Sequence, residues 1–164
     1  MEGTNICYIE KGIVASEDAY IIAVNGRQMR NSTFPTLIGI SKSPFAVEAV
    51  FAVGPYQISV NRNTMEQTGT GHQHRPLISK RKGALVPAYT FLDKRFQSIS
   101  AIWAVDVDGT SANENSEPMH VVHNPNANNP IPIGLLPAHD EYVATSIGTE
   151  EFKLNRVEGR LKSQ

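Results

Sequence analysis

Apolar positions along this chain fall into short runs separated by long polar stretches, a pattern that predicts strands more often than helices. Ile6, Tyr8 and Ile9 lie close to the spacing of one helix face, and Lys11-Gly12 supplies a stop signal, so a very short opening helix is expected. Val14 to Asp18 reads as a polar connection. Tyr20-Ile21-Ile22-Ala23-Val24 is a nearly unbroken apolar run closed by Asn25-Gly26, which predicts a strand buried on both faces. Arg27 to Pro35 is polar and reads as a loop.

Further along, Pro44 suits the first position of a helix, and the alanines and glutamate of Phe45 to Val53 favour one, whereas its valines favour a strand. The expectation is a short helix leading into a strand. Tyr56-Gln57-Ile58-Ser59-Val60 alternates and predicts a half-buried strand. Asn61 to Gly83 is polar and glycine-containing and reads as a long exposed excursion.

Ile99 to Val105 is the second strong strand, ending in the turn Asp106-Val107-Asp108-Gly109. The segment Thr110 to Glu117 is polar. Met119-His120-Val121-Val122-His123 is a third strand. Asn124 to Pro132 holds four asparagines and three prolines; proline removes donors and fixes φ, so an irregular, ordered loop is predicted. Tyr142 to Thr145 and Glu151 to Leu154 are strand-like. The fold expected from these elements is α/β or α+β, a mixed sheet with a few short helices in a single domain over residues 1–155, then a polar, frayed tail over 156–164.

Composition narrows the class. At 164 residues, 40% hydrophobic and 19% charged, the chain has the make-up of an ordinary globular domain and not of a disordered segment. Fifteen basic and sixteen acidic side chains leave a formal charge of −1, so no global field would draw nucleic acid or an anionic membrane. Cys7, the single cysteine, cannot form an intrachain disulfide, and without a nucleophile's surroundings it reads as packing. No apolar run approaches the roughly 18–20 residues that span a bilayer. The first residues lack the basic and apolar regions of a signal peptide, so a cytoplasmic location and no membrane partner are expected.

Several groups of residues invite a chemical reading. Asp106-x-Asp108 after an apolar strand resembles the first motif of haloacid-dehalogenase-type phosphatases, with a nucleophilic aspartate on a rigid strand end; the remainder of the chain is too short for that family's later motifs. The same residues, with Thr110, Glu114 and Glu117, fall at calcium-loop positions, but Ser111 occupies the place that requires glycine. His72, His74, His120 and His123 offer imidazole nitrogens suited to a divalent metal cofactor; His72-x-His74 is like the cupin motif, without that family's later glutamate. Glu151-x-Lys153, with Asp140 upstream, matches half of a PD-(D/E)xK nuclease motif, a tripeptide common by chance. Arg75, Lys80, Arg81 and Lys82 make a basic loop able to contact phosphates, though no aromatic residues interleave with them. The loop His123, Asn124, Asn126 and Asn128 is the place where an irregular, packed segment would carry function; asparagines there also serve to cap backbone groups.

Several phrases taken together point further: Tyr8 to Val14, Ile21 to Gly26, Ala49 to Gly54, Ile99 to Trp103, and His123-Asn124-Pro125-Asn126-Ala127-Asn128-Asn129-Pro130. Their order resembles the C-terminal half of a family of uncharacterised bacterial proteins about twice this length. The resemblance covers nearly the whole chain and implies an N-terminal half, like a restriction-endonuclease core, that is not present, so no catalytic residue carries over. The resemblance thus implies a non-catalytic fragment or accessory domain of a nuclease-like protein that self-associates through an exposed sheet edge. A metal-dependent hydrolase using the histidines, and a nucleic-acid or protein binding module using the basic loop, stand beside it.

Overall fold

A computed structural model describes residues 10–26, 41–80, 82–105, 119–148 and 151–161. The opening helix, Cys7, the 27–35 loop, Arg81 and the whole Asp106 to Glu117 segment, with its phosphatase-like and calcium-loop readings, lie outside those residues. The chain divides into two compact units, residues 1–37 with 91–164, and residues 38–90.

The larger unit is built on a five-stranded mixed sheet. Its strands are β1 (Ile21–Asn25), β6 (Ala101–Val105), β7 (Met119–His123), β8 (Asp140–Ser146) and β9 (Phe152–Glu158), in that spatial order. β1 and β6 are parallel, β6 and β7 antiparallel, β7 and β8 parallel, β8 and β9 antiparallel. The mixed sheet with few, short helices is the expected fold class. β7 is the central strand, and all five of its residues are buried, so the strand best shielded from water carries two histidines.

Two sequence expectations change here. The apolar run Tyr20 to Val24 predicts a strand buried on both faces. Instead β1 pairs only with β6 among the described residues, and none of its five residues is fully buried. Hydrophobic continuity in this case marks a flanking strand that is half-covered. The polar segment from Arg156, expected as tail, continues β9 to Glu158, because Arg156 stands opposite Tyr142 and reaches the Asp140 carboxylate. Beyond the strand, Gly159 N–H donates to the His139 carbonyl and Leu161 N–H to that of Ala138. A Cβ at Gly159 would overlap the Ala138 carbonyl, so this close return of the chain requires glycine.

One face of the sheet is closed by the Asn/Pro-rich segment. Ala101 and Val121 pack with Ile131 and Ala138, flanked by Ile21, Trp103 and Leu136. Trp103 Nε1 donates to the Pro137 carbonyl at 2.9 Å, satisfying the indole where its ring is part-buried. The loop is ordered, as expected, because side chains replace the backbone pairing that proline forbids. Asn124 donates to the carbonyls of Phe96 (3.1 Å) and Ile99 (2.8 Å), accepts from Asn126 N–H, and Asn126 donates to the Phe91 carbonyl at 2.8 Å. Short 3-10 turns at Thr90–Leu92 and Lys94–Phe96 precede β6; Asp93 caps the second by accepting from Arg95 N–H.

The smaller unit contains the helix α1 (Phe45–Phe51) and two hairpins, β2 (Val53–Val60) with β3 (Gln67–His74), and β4 (Leu77–Ser79) with β5 (Leu85–Pro87). The helix leading into a strand matches the sequence expectation. Pro44 precedes its first turn, Ala52 closes it in the left-handed conformation, and Ala46, Val47 and Val50 are buried. Glu48, also buried, accepts from Ser41 N–H at 2.5 Å.

The excursion Asn61 to Gly83, expected as loop, contains two strands, β3 and β4. β3 is polar or glycine throughout, and β4 is only three residues long; both pair through their backbones, so periodicity carries no trace of them. Tyr56 to Val60 is a strand, as expected, but exposed throughout where half-burial is predicted. Among the described residues no helix is long and apolar enough to cross a membrane.

Candidate functional site

The sheet of the larger unit sets two histidine–carboxylate pairs on opposite faces. His120 and His123 are three apart on β7, an odd separation that points their side chains to opposite sides. Asp140 and Glu141, adjacent on β8, are split the same way. Register then makes the pairs: His120 lies opposite Asp140, and Glu141 lies opposite Val121, on the face that His123 shares.

On the loop-covered face, His123 Nε2 meets Glu141 Oε2 at 2.7 Å, and Glu141 Oε1 accepts from Gly134 N–H, also at 2.7 Å. Glu141 is 1% exposed and His123 8%. A carboxylate only accepts, so the imidazole Nε2 carries the hydrogen of this bond. Both carboxylate oxygens are thereby matched, which a charge in this setting requires. The pair ties strand to loop: Glu141 holds the central strand's last residue with one oxygen and the Ile133-Gly134 turn with the other. Among the described residues, His123 Nδ1 makes no hydrogen bond.

On the opposite face, Asp140 is committed elsewhere. Arg156 reaches its Oδ1 through Nε at 2.7 Å and its Oδ2 through Nη2 at 3.0 Å. That bidentate contact raises the already high Arg156 pKa. His120 Nδ1 remains 3.7 Å from Asp140 Oδ2, too far for a hydrogen bond, and is a fully buried polar atom without a hydrogen-bond partner among the described residues. The ring instead stands edge-on to Tyr142, with centroids 6.1 Å apart. Burial pushes the His120 pKa below its ordinary 6.5, Asp140 opposing that shift in part, while burial and then the Asp140 charge push the Tyr142 hydroxyl up.

A histidine whose folded pKa is depressed takes up protons more readily in the unfolded chain, so its contribution to stability is complete above 6.5 and lost as pH falls through the folded value. Acidification below pH 6.5 is expected to lower the stability of the native protein by up to about 1.4 kcal/mol per pH unit for this one proton. His120→Gln should remove that component. Urea midpoints of the two proteins measured at neutral pH and at successive steps below 6.5 check it: the difference between them must shrink on acidification, and a constant difference contradicts the assignment.

Within the larger unit the two candidate metal ligands are not brought together. His120 and His123 are separated by the sheet, and among the described residues no group of three or more histidine, cysteine, aspartate or glutamate side chains could hold a metal ion. His72 and His74 sit on β3 of the smaller unit. The half nuclease motif is spread along a hairpin. Lys153 pairs with Thr145, near one end of β8, while Asp140 pairs with Glu158 at the other end. Five residue steps along the strand, about 17 Å, separate those positions. Asn124 and Asn126 are backbone caps, and the Asn128 N–H donates to the Gln97 carbonyl.

No family model, no curated protein and no solved structure matches the chain. Geometry and charge therefore carry the functional reading.

The charged residues are unevenly divided between the units, chiefly because acids are scarce in one of them. Residues 38–90 contain six cations, Lys42, Arg62, Arg75, Lys80, Arg81 and Lys82, and two acids, Glu48 and Glu66, hence a net +4. The rest of the chain has nine basic and fourteen acidic side chains, hence −5. A chain that is nearly neutral as a whole is strongly polarised between its units.

The hairpins place several of these cations at turn tips. Arg62 lies in the β2–β3 turn, where Asn61 Oδ1 accepts from Asn63 and Thr64 N–H. Lys80 and Lys82 lie in the β4–β5 turn, closed by Gly83 N–H donating to the Lys80 carbonyl, with Gly83 at φ 83°. Arg62, Lys80 and Lys82 are all exposed.

β2 presents Tyr56, Ile58 and Val60 on one side, each more than half exposed, with His72 and Thr70 opposite Tyr56 and Ile58 on β3. Sequence reading misses this face because its aromatic residue precedes the basic run by about twenty positions and joins it only through strand pairing. It also misses Glu141 and His139, which no local spacing marks. His139 Nδ1 accepts from Met119 N–H at 3.2 Å and so helps to lock the start of β7.

Proposed function

We propose that the unit spanning residues 38–90 is a nucleic-acid-contact module, and that the chain acts as a binding or accessory component and not through a metal-dependent hydrolytic centre. The observation that carries this reading is the charge segregation, +4 in 53 residues against −5 in the remainder, with Arg62, Lys80 and Lys82 on exposed hairpin tips. Polyanion binding draws on such a local field by releasing condensed counterions, and a neutral whole-chain charge is no obstacle once the charges are separated. Two-stranded ribbons with basic tips are also of a width that enters a nucleic-acid groove or tracks a strand. An accessory, non-catalytic role beside a nuclease-like core belongs to the same proposal. It is supported by the dispersal of Asp140 and Lys153 and by the opposed placement of His120 and His123.

The test is an equilibrium titration of a fluorescent oligonucleotide with the full chain over a range of salt concentrations. With about four cations on phosphates, log K should fall against log salt with a slope of roughly −3, so that affinity drops about a hundredfold between roughly 50 and 200 mM salt. A flat response, or no binding at the lowest salt, contradicts the proposal.

A further inference from the structure

The smaller unit holds a cleft of about 440 Å³ lined by Ser41, Lys42, Pro55, Tyr56 and His72. Its volume lies within the range of small-ligand sites, roughly 300–1,000 Å³. Its lining mixes one cation, a serine hydroxyl and two aromatic rings, one of them a phenol.

The rings are arranged by the hairpin. His72 Nδ1 lies 3.0 Å from the Gly54 carbonyl, which only accepts, so Nδ1 carries the hydrogen. Gly54 itself is fixed by crowding: a Cβ there would stand 2.8 Å from the Gln73 carbonyl oxygen. The imidazole meets Tyr56 edge-on, centroids 5.4 Å apart and planes at 77°. This contact steadies the phenol ring while 58% of the residue stays exposed. A tyrosine held by its neighbour yet open to solvent is a stacking platform. Lys42, on the same cleft, is exposed and sits at φ 66°, a left-handed conformation beside which Ser41 accepts from Ser43 N–H at 3.1 Å. The Ser41 hydroxyl keeps its own hydrogen to donate.

We propose that this cleft is a nucleotide subsite for single-stranded nucleic acid, with a base stacked on Tyr56 and its phosphate held by Lys42 and the Ser41 hydroxyl. The inference rests on the nucleic-acid reading of this unit and adds the form of the polymer. A duplex offers phosphates but hides its base faces, whereas a single strand can turn a base into a recess beside an aromatic ring. Charge complementarity selects the polyanion, and the exposed ring selects the unpaired strand. The aromatic component that the basic loop lacks in sequence is thus supplied by β2.

Labelled oligo-dT, oligo-rU and a duplex of equal length, titrated at low salt with the full chain and its variants, test the assignment. Tyr56→Ala should weaken both single strands about tenfold, the scale of one lost base–aromatic stack, and leave the duplex within about twofold. Tyr56→Phe should stay within about twofold of the native protein on every probe, which separates stacking from a folding defect. Lys42→Ala should weaken all three probes. A difference between oligo-dT and oligo-rU would support the subsite and assign its natural polymer. An unchanged single-strand affinity in Tyr56→Ala, or an equal loss on strand and duplex, overturns the subsite while the module stands. Failure of the native protein to bind any probe overturns both.

Discussion

Glu141→Ala is expected to cost about 3–5 kcal/mol of folding stability. Truncation leaves the buried His123 Nε2 without an acceptor, a stranded donor that costs about 1–3 kcal/mol, and also frees the part-buried Gly134 N–H. Removal of the side chain from beneath the 131–138 segment adds a cavity cost. Glu141→Gln keeps the shape and one acceptor oxygen, so it should lose about 1–2 kcal/mol. Replacing both partners with leucine removes the charge and the stranded imidazole donor together, leaving only Gly134 N–H without its acceptor, and should recover part of the loss, since buried pairs are often no more stabilising than apolar groups of equal volume. Urea unfolding of the three variants provides the check. A Glu141→Ala midpoint close to native would mean that the tie between strand and loop contributes nothing to stability.

The second large effect concerns binding. Lys80→Glu/Lys82→Glu is expected to lower oligonucleotide affinity by roughly one to two orders of magnitude at low salt, and to make the slope of log K against log salt shallower by about 1.5. Both side chains are exposed on the β4–β5 turn, so stability should remain within about 0.5 kcal/mol of native. Lys153→Glu, an exposed cation of the acidic unit, supplies the control and should leave binding unchanged. Because the reversal acts through charge, its effect must fade as salt rises; a loss that persists at high salt would indicate local damage instead.

The parts of this molecule legible in its sequence are those whose apolar pattern answers to one buried surface. Ile99 to Val105 and Met119 to His123 read as strands because their side chains enter the core, and the Asn124 to Pro132 loop reads as ordered because prolines without backbone donors must be held by side-chain caps. β3 and β4 are illegible because exposed or very short strands hold together by backbone pairing and turn geometry, which leave no hydrophobic period. The opposite error at β1 shows that an apolar run reports attraction to a core, not the number of neighbours a strand has.

The candidate sites divide along the same line. The basic residues are visible as a run, but their significance depends on where the chain divides, since +4 and −5 nearly cancel in any whole-chain count. The histidines are visible as ligand types, yet strand alternation sends His120 and His123 to different environments. His120 stands edge-on to a tyrosine, and His123 is bound to a carboxylate 18 residues along the chain. Glu141 is central to one face and anonymous in sequence, because only the parallel register of β7 and β8 brings it to His123.

The most direct test of the central claim is a two-dimensional amide NMR titration of the full chain with a short single-stranded oligonucleotide at low salt. The shifted resonances are expected to cluster within residues 38–90, at the turns around Arg62 and Lys80 and on the strands bearing Tyr56 and His72. Shifts centred instead on His123, Glu141 and the 124–136 loop would contradict that claim and move the functional site to the sheet of the acidic unit.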